Sequence, residues 1–293
     1  MLRKSLQLLK FLVIGMSIYA LLSCASWWNT GSPEAVGTET GSSGSVREEN
    51  RDSDRPPVIE VVGHIDFTEE PFRDVLTTVP EDGTPVFFVA VPRMAERENE
   101  YRTGVMLLAR QAALYKRASV SAKFMTQSNN RDMGYREQVD VEVDNELVQS
   151  MVDKVEITTH YRDVEGSYFH GILNGETLPR FKISTDVQRG VPQWFTNLPA
   201  YEGYITAVGT AQRHMFIAES FMQSDRQALA ALAKQRNINV KQKRDDLERE
   251  SQGSAYQQLN LEITNATVRG FYVIDRWVSE DGNTYYSLAV CPK

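Results

Sequence analysis

The chain has 293 residues and a mass of 33.2 kDa, enough for one large domain or two of ordinary size. Hydrophobic residues make up 41% and charged residues 24%, so most of it should fold into a globular body. A net charge of −7 argues against nucleic acid as a partner, and two cysteines, Cys24 and Cys291, exclude a disulfide framework.

At the N-terminus Arg3, Lys4 and Lys10 precede an uncharged apolar run, Phe11 to Leu22. A basic start followed by a short apolar core has the form of a secretory signal. The rival reading is a retained membrane-spanning helix. The uncharged run falls short of the roughly 20 residues a span needs, and lengthening it would place Gln7 and Lys10 in hydrocarbon.

Leu21-Leu22-Ser23-Cys24 closes the run and resembles the lipobox of bacterial lipoproteins. The resemblance implies cleavage between Ser23 and Cys24, with Cys24 carrying acyl chains such as palmitate. Two or three chains give stable anchoring at about 0.8 kcal/mol per buried methylene. An ordinary signal peptide with an incidental cysteine is the alternative. Ala25 follows the cysteine; the absence of Asp there leans toward the outer membrane.

Ala25 to Pro57 is rich in Ser, Gly, Thr, Glu and Asp and reads as a flexible tether. Trp27 and Trp28 have two readings, aromatics resting among lipid headgroups or disordered side chains.

Beyond the tether four stretches recur in order at offsets of 117 to 120 residues. Asp74 to Pro80 resembles Trp194 to Pro199. Val86 to Val91 matches Tyr204 to Gly209, Ala112 to Arg117 matches Ala230 to Gln235, and Gly166 to Phe169 matches Asn283 to Tyr286. This predicts a diverged duplication, with a first unit at 58–185 and a second at 186–293.

Each unit starts with a strand, 86–91 or 204–209. An alanine-rich helix follows, 103–116 or 214–235, then a strand, 118–126 or 238–243. Ala218, Phe221, Met222, Leu229 and Leu232 recur near helical spacing. The next segment is ambiguous. Val139, Val141 and Val143 alternate like a strand, as do Leu259, Leu261 and Ile263. Yet Tyr135, Val139, Val143 and Leu147 recur every four residues, and Tyr256, Leu259 and Ile263 nearly so. A long run without a central turn favours a helix. Paired strands close the units, 154–163 with 168–174 and 270–278 with 284–291, and Glu280 to Asn283 makes a hairpin turn. The connector Asn174 to Ala200 is rich in Gly and Pro, and Arg180 to Ile183 could add a strand. The expected class is α+β: two tandem small units, each an antiparallel sheet packed by one or two helices.

Pro192 to Pro199, Tyr204 to Ala211, an alanine-rich helix, Gly270 to Trp277 and Gly282 to Val290 follow one another in an order similar to that of the Lpp-twenty family of bacterial lipoproteins. That family includes outer-membrane lipoproteins and relatives that build discs around flagellar motors. The first unit departs from the pattern: Val91 stands where Gly209 does, and no tryptophan matches Trp194 or Trp277. Physically, Trp194 can cover a sheet edge, Gly209 can end a strand where the backbone is tight, and Trp277 can pack on a helix. All three read as fold residues.

No catalytic or metal constellation is evident, and no cofactor is implied. His64, His160, His170 and His214 lack zinc-like spacing with one another or with a cysteine. His160 and His170 could face each other across the first hairpin as a surface pair. Cys291 reads as a small buried thiol. Asp140, Glu142, Asp144 and Glu146 lack the glycine and terminal glutamate of a calcium loop and read as a solvated face. Lys241 to Glu250 reads as a solvated loop or helix start. The expectation is a non-enzymatic, lipid-anchored envelope protein, with membrane lipid at Cys24 and envelope proteins or its own copies as partners. The alternative is a periplasmic lipoprotein binding a small ligand in a cleft between the units.

Overall fold

The computed structural model describes residues 55–79, 83–129, 132–184, 186–245 and 260–293. Ser23, Cys24, Trp27, Trp28, the tether up to residue 54 and Thr185 lie outside the described residues. Asp52–Lys293 forms one compact unit.

Strand β1 (Val58–Glu60) is followed by a 3-10 turn at Asp74–Leu76 and by β2 (Val86–Pro92). Helix α1 (Arg97–Lys116), β3 (Ala118–Asn129), β4 (Asp132–Glu142), α2 (Asn145–Val152), β5 (Val155–Arg162) and β6 (Gly166–Leu173) come next. A short ribbon, β7 (Val187–Gln188) with β8 (Val191–Pro192), leads into one turn of helix, α3 (Gln193–Thr196). The chain continues through β9 (Tyr204–Gln212), α4 (Ile217–Asp245), β10 (Asn260–Val268), β11 (Tyr272–Val278) and β12 (Thr284–Pro292). The fold is α+β, as the pattern implied.

Three sheets carry it, ordered β1-β5-β6-β2, β11-β12-β9 and β10-β3-β4. β5-β6-β2 and β11-β12-β9 share one layout: a central strand antiparallel to both neighbours, with the hairpin strands in the same sequence order. The third sheet joins distant parts of the chain, for Ala118–Thr126 pairs antiparallel with Asn260–Val268.

Alternation along β2 sorts the packing. Phe87, Val89 and Val91 join a cluster with Leu108, Ala112 and Phe169. Phe88 and Ala90 point the other way, into a cluster with Phe67, Tyr168, Phe221 and Tyr285. Phe221 of α4 meets Phe67, Phe88 and Tyr285 edge-on, with ring centroids 5.0 to 5.4 Å apart.

The helices lie close on their sheets because the contact residues are small. A Cβ on Gly104 of α1 would stand 2.4 Å from the Phe169 ring. A Cβ on Gly209 of β9 would stand 2.0 Å from Ser224 O and 2.2 Å from Ala228 N, both in the α4 backbone. Gly209 is therefore a mid-strand contact glycine and does not end its strand. α2 starts at Asp144, whose carboxylate accepts from Glu146 N at 2.9 Å.

Four expectations about local structure are corrected. The segment read as a helix through Tyr135 and Val139 is strand β4, paired with β3 from Ser119↔Glu142 to Asn129↔Asp132. Leu261 and Ile263 lie on strand β10, while Tyr256 and Leu259 lie outside the described residues. Residues 238–243 continue α4 and form no strand, so Lys241–Asp245 belongs to that helix, with 246–250 outside the described residues. Arg180 to Ile183 is irregular. In the first two cases strand alternation was present and long-range pairing selected it over the four-residue spacing.

Gly209→Ala should cost about 3 kcal/mol, because the methyl meets helix backbone that cannot rotate away. For a unit of this size that lowers the melting temperature by about 10 °C. Thr210→Ala, exposed on the same strand, should leave the melting curve in place.

Candidate functional site

β11 is buried along its whole length. It carries an acid and a base in succession, and neighbouring residues of a strand face opposite sides. Arg276 forks onto Asp225 of α4, with Nε to Oδ1 at 3.0 Å and Nη2 to Oδ2 at 2.7 Å. Ser287 donates to the same Oδ1 at 2.6 Å and lies 2.7 Å from the Ser224 hydroxyl. Asp275 accepts from the Trp194 indole N–H at 2.7 Å and from the Thr77 hydroxyl at 2.8 Å. Burial pushes the Asp275 carboxyl up to about 6, against the pull of those hydrogen bonds.

The strand also ties down the segment before β2. Thr78 N donates to Ile274 O at 3.2 Å. The Tyr272 hydroxyl accepts from Val86 N at 3.0 Å and sits against Val86 O and Thr78 O. The Arg73 guanidinium lies 3.9 Å above the Trp277 ring. Trp194 thus covers the sheet as the sequence implied, and the added carboxylate contact anchors it. Trp277 packs on the lead-in to the 3-10 turn, with an arginine as the partner seen. The network holds the fold, although Arg276 Nη1 and Trp277 Nε1 are buried in it without a hydrogen-bond partner among the described residues.

A second buried polar group gathers at the start of α1. The Glu100 carboxylate takes hydrogen bonds from Ser167 Oγ at 2.5 Å, Met94 N at 2.9 Å and Arg97 Nη1 at 2.8 Å. Burial opposes its charge, but these donors win and hold it below the usual glutamate range. Asp163 accepts from Ile65 N, Glu165 N and Gly166 N and fixes the β5–β6 turn.

Beside this group lies an open cavity of about 140 Å³. Arg55, Val58, Glu98, Tyr101, His160 and Arg162 line it. α1 supplies Glu98 and Tyr101, while β5 supplies His160 and Arg162, two residues apart on one face. The His160 ring stacks on Phe169 at 4.2 Å, and both ring nitrogens are buried without a hydrogen-bond partner. Burial, then the nearby Arg162 charge, pull its pKa down to about 4. No sequence signal marked this cavity, because its residues come from three separate elements.

The expected His160–His170 pair is not formed. His160 stands opposite Phe169 and Thr159 opposite His170, past a register shift between Ile157 and Thr159. His160 stacks beneath α1, whereas His170 donates from Nε2 to Val75 O at 2.6 Å and meets Phe88 edge-on. The two rings face opposite sides of the sheet. His64 is exposed beside Glu165, and His214 lies at the α4 entry. Asp140 pairs with Arg226 at 3.7 Å, Asp144 caps α2, and Glu142 and Glu146 are exposed. Cys291 is a fully buried free thiol, its pKa raised by that burial. Among the described residues no group of three or more His, Cys, Asp and Glu is placed to hold a metal ion.

Residues 192–291 match the model of the LPP20 lipoprotein family. The LPP20 segment runs from the start of α3 through β12 and contains Trp194, Asp225, Asp275, Arg276 and Ser287. The buried network is therefore largely its own, while Thr77, Thr78 and Val86 come from outside it. The match supports a lipoprotein of the cell envelope. No helix among the described residues is long and apolar enough to cross a membrane. No curated protein and no solved structure matches the chain.

The buried network and His160 make separate predictions. Asp225→Asn should destabilise by about 3 kcal/mol or more, because Arg276 keeps its charge in a dry core. Arg276→Met with Asp225→Leu should be milder than Asp225→Asn alone, as a denaturant series would show. His160 binds its proton less readily folded than unfolded. Its contribution is full above pH 6.5 and is lost as pH falls toward 4. Between pH 7 and 5 that costs about 2 kcal/mol. His170, lowered by burial, acts in the same direction, and Asp275 acts oppositely between 3.8 and about 6. Urea midpoints of the native chain should fall more over this range than those of His160→Phe, in which the other two groups are unchanged.

Proposed function

We propose that the chain is a non-enzymatic envelope lipoprotein whose α+β unit serves a structural or protein-interaction role. The observation that carries this reading is the LPP20 lipoprotein match over residues 192–291. Cleavage falls between Ser23 and Cys24, and acylated Cys24 holds the chain in the membrane, the outer membrane in preference to the inner. The tether then lets the unit work in the periplasm. Its partners are other envelope proteins or its own copies, in an envelope or flagellar-motor assembly.

The duplication belongs to the same reading. The common layout of β5-β6-β2 and β11-β12-β9 supports it. Register sharpens the correspondence: Val91 pairs with Ser167, and Gly209 with Ser287. Each serine reaches a carboxylate on the helix above it, Ser167 to Glu100 and Ser287 to Asp225. Within this reading Ser167 corresponds to Ser287, at an offset of 120 residues.

Cys24→Ala should abolish incorporation of labelled palmitate and move the protein from the membrane to the soluble fraction. Retention in the membrane would overturn the anchor and restore the spanning helix. Cross-linking in living cells should recover multimers of the chain or other envelope proteins. Monomer alone, under conditions that capture known complexes, would count against an assembly role.

A further inference from the structure

The cavity between α1 and strands β1 and β5 has an unusual balance of charge and hydrogen-bonding capacity. Its three guanidinium groups are each already neutralised. Arg55 forks onto Glu98 at 2.8 and 3.1 Å, Arg97 holds Glu100 at 2.8 Å, and Arg162 holds Glu60 at 3.0 Å. Arginine–carboxylate pairs present donors and acceptors side by side with little net charge. An oxyanion would have to compete with three carboxylates for the same guanidinium groups.

What is left over is hydrogen-bonding capacity. His160 is 1% exposed, yet neither ring nitrogen has a partner, and the Arg162 Nε–H is likewise buried and unpaired. A neutral imidazole offers one donor and one acceptor, and Arg162 Nε offers a donor. Orphaned buried groups of this kind are costly unless something partners them. The complement is a neutral group carrying several hydroxyls, since each hydroxyl both donates and accepts.

Size and walls agree. The cavity of about 140 Å³ holds roughly four or five waters at about 30 Å³ each, the scale of a single sugar ring. Val58 and Tyr101 give it apolar walls beside the polar groups. Arg55, stacked 4.3 Å over the Tyr101 ring and bound to Glu98, is an exposed part of the same wall.

We propose that this cavity binds one neutral sugar ring, its hydroxyls shared among His160, Arg162 and the arginine–glutamate pairs, Arg55–Glu98 among them. The site stands on this geometry and does not depend on the lipid anchor or on an assembly role.

The test uses the full chain in detergent micelles, with glucose, N-acetylglucosamine and inorganic phosphate as separate probes. The side-chain NMR signals of His160 are followed to about 50 mM, a range that covers weak millimolar sites. One of the sugars should shift His160 and leave His214 in place, and phosphate should not. Arg162→Met should weaken the effect at least tenfold. Arg55→Ala, at an exposed position that leaves the core intact, should weaken it several-fold without lowering the melting temperature. A disaccharide of the same sugar binding more tightly assigns the group to a glycan end, and equal or weaker binding assigns it to a free monosaccharide; both support the site. Silence of His160 toward both sugars, a response to phosphate instead, or an unchanged response in both variants would overturn it.

Discussion

Arg276 cannot be buried in β11 unless Asp225 stands opposite it, and that requirement sets much of the rest. An unpaired guanidinium in a dry core costs several kcal/mol, so α4 must cross the sheet where its carboxylate can fork onto the strand. The crossing brings the α4 backbone onto β9, which Gly209 alone permits. It also brings Ser224 to Ser287 and Phe221 into the ring cluster with Phe67, Phe88 and Tyr285. The pair contributes position more than net stability, since both ions give up their hydration to form it.

The opposite face of the same strand obeys the same rule with a different answer. Among the described residues Asp275 forms no ion pair. It is held by the neutral donors Trp194 and Thr77, and it titrates well above an ordinary aspartate. One donor comes from the connector ahead of β9 and the other from the segment ahead of β2. A single carboxylate thereby fastens two irregular stretches that have little regular structure of their own.

What the sequence revealed follows the range of the interactions involved. Alternation and turn residues placed β2, β5, β6, β9, β11 and β12 within a few positions, and alanine-rich spacing placed α1 and the start of α4. Trp194 was recognisable as a sheet cover because a large indole in an apolar lead-in has few other uses. The failures lie where distant segments decide. Val139 and Val141 fit a strand or a helix equally, and pairing of β3 with both β4 and β10 decides between them. Nothing in the sequence singled out Asp225, Asp275 and Arg276 as a buried network, since partners 51 to 198 residues away leave no local mark. His160 and His170 looked like a facing pair until a register shift turned them to opposite sides.

The same long-range pairing bears on where a ligand could enter. Tandem units joined by a linker can open a cleft between them, but here the two halves share structure. β3 pairs with β10 across more than a hundred residues, Tyr272 is hydrogen-bonded into β2, and Phe88 meets Phe221 face to edge. At Phe88 and Tyr272 the halves are packed against each other, and parting them there would expose Arg276 and Asp225. A pocket that opens at low cost is one bounded by elements that the core does not need to move. The cavity under α1 meets that condition: β1 is a three-residue edge strand, exposed throughout, and Arg55 is held at the surface by Glu98 and Tyr101.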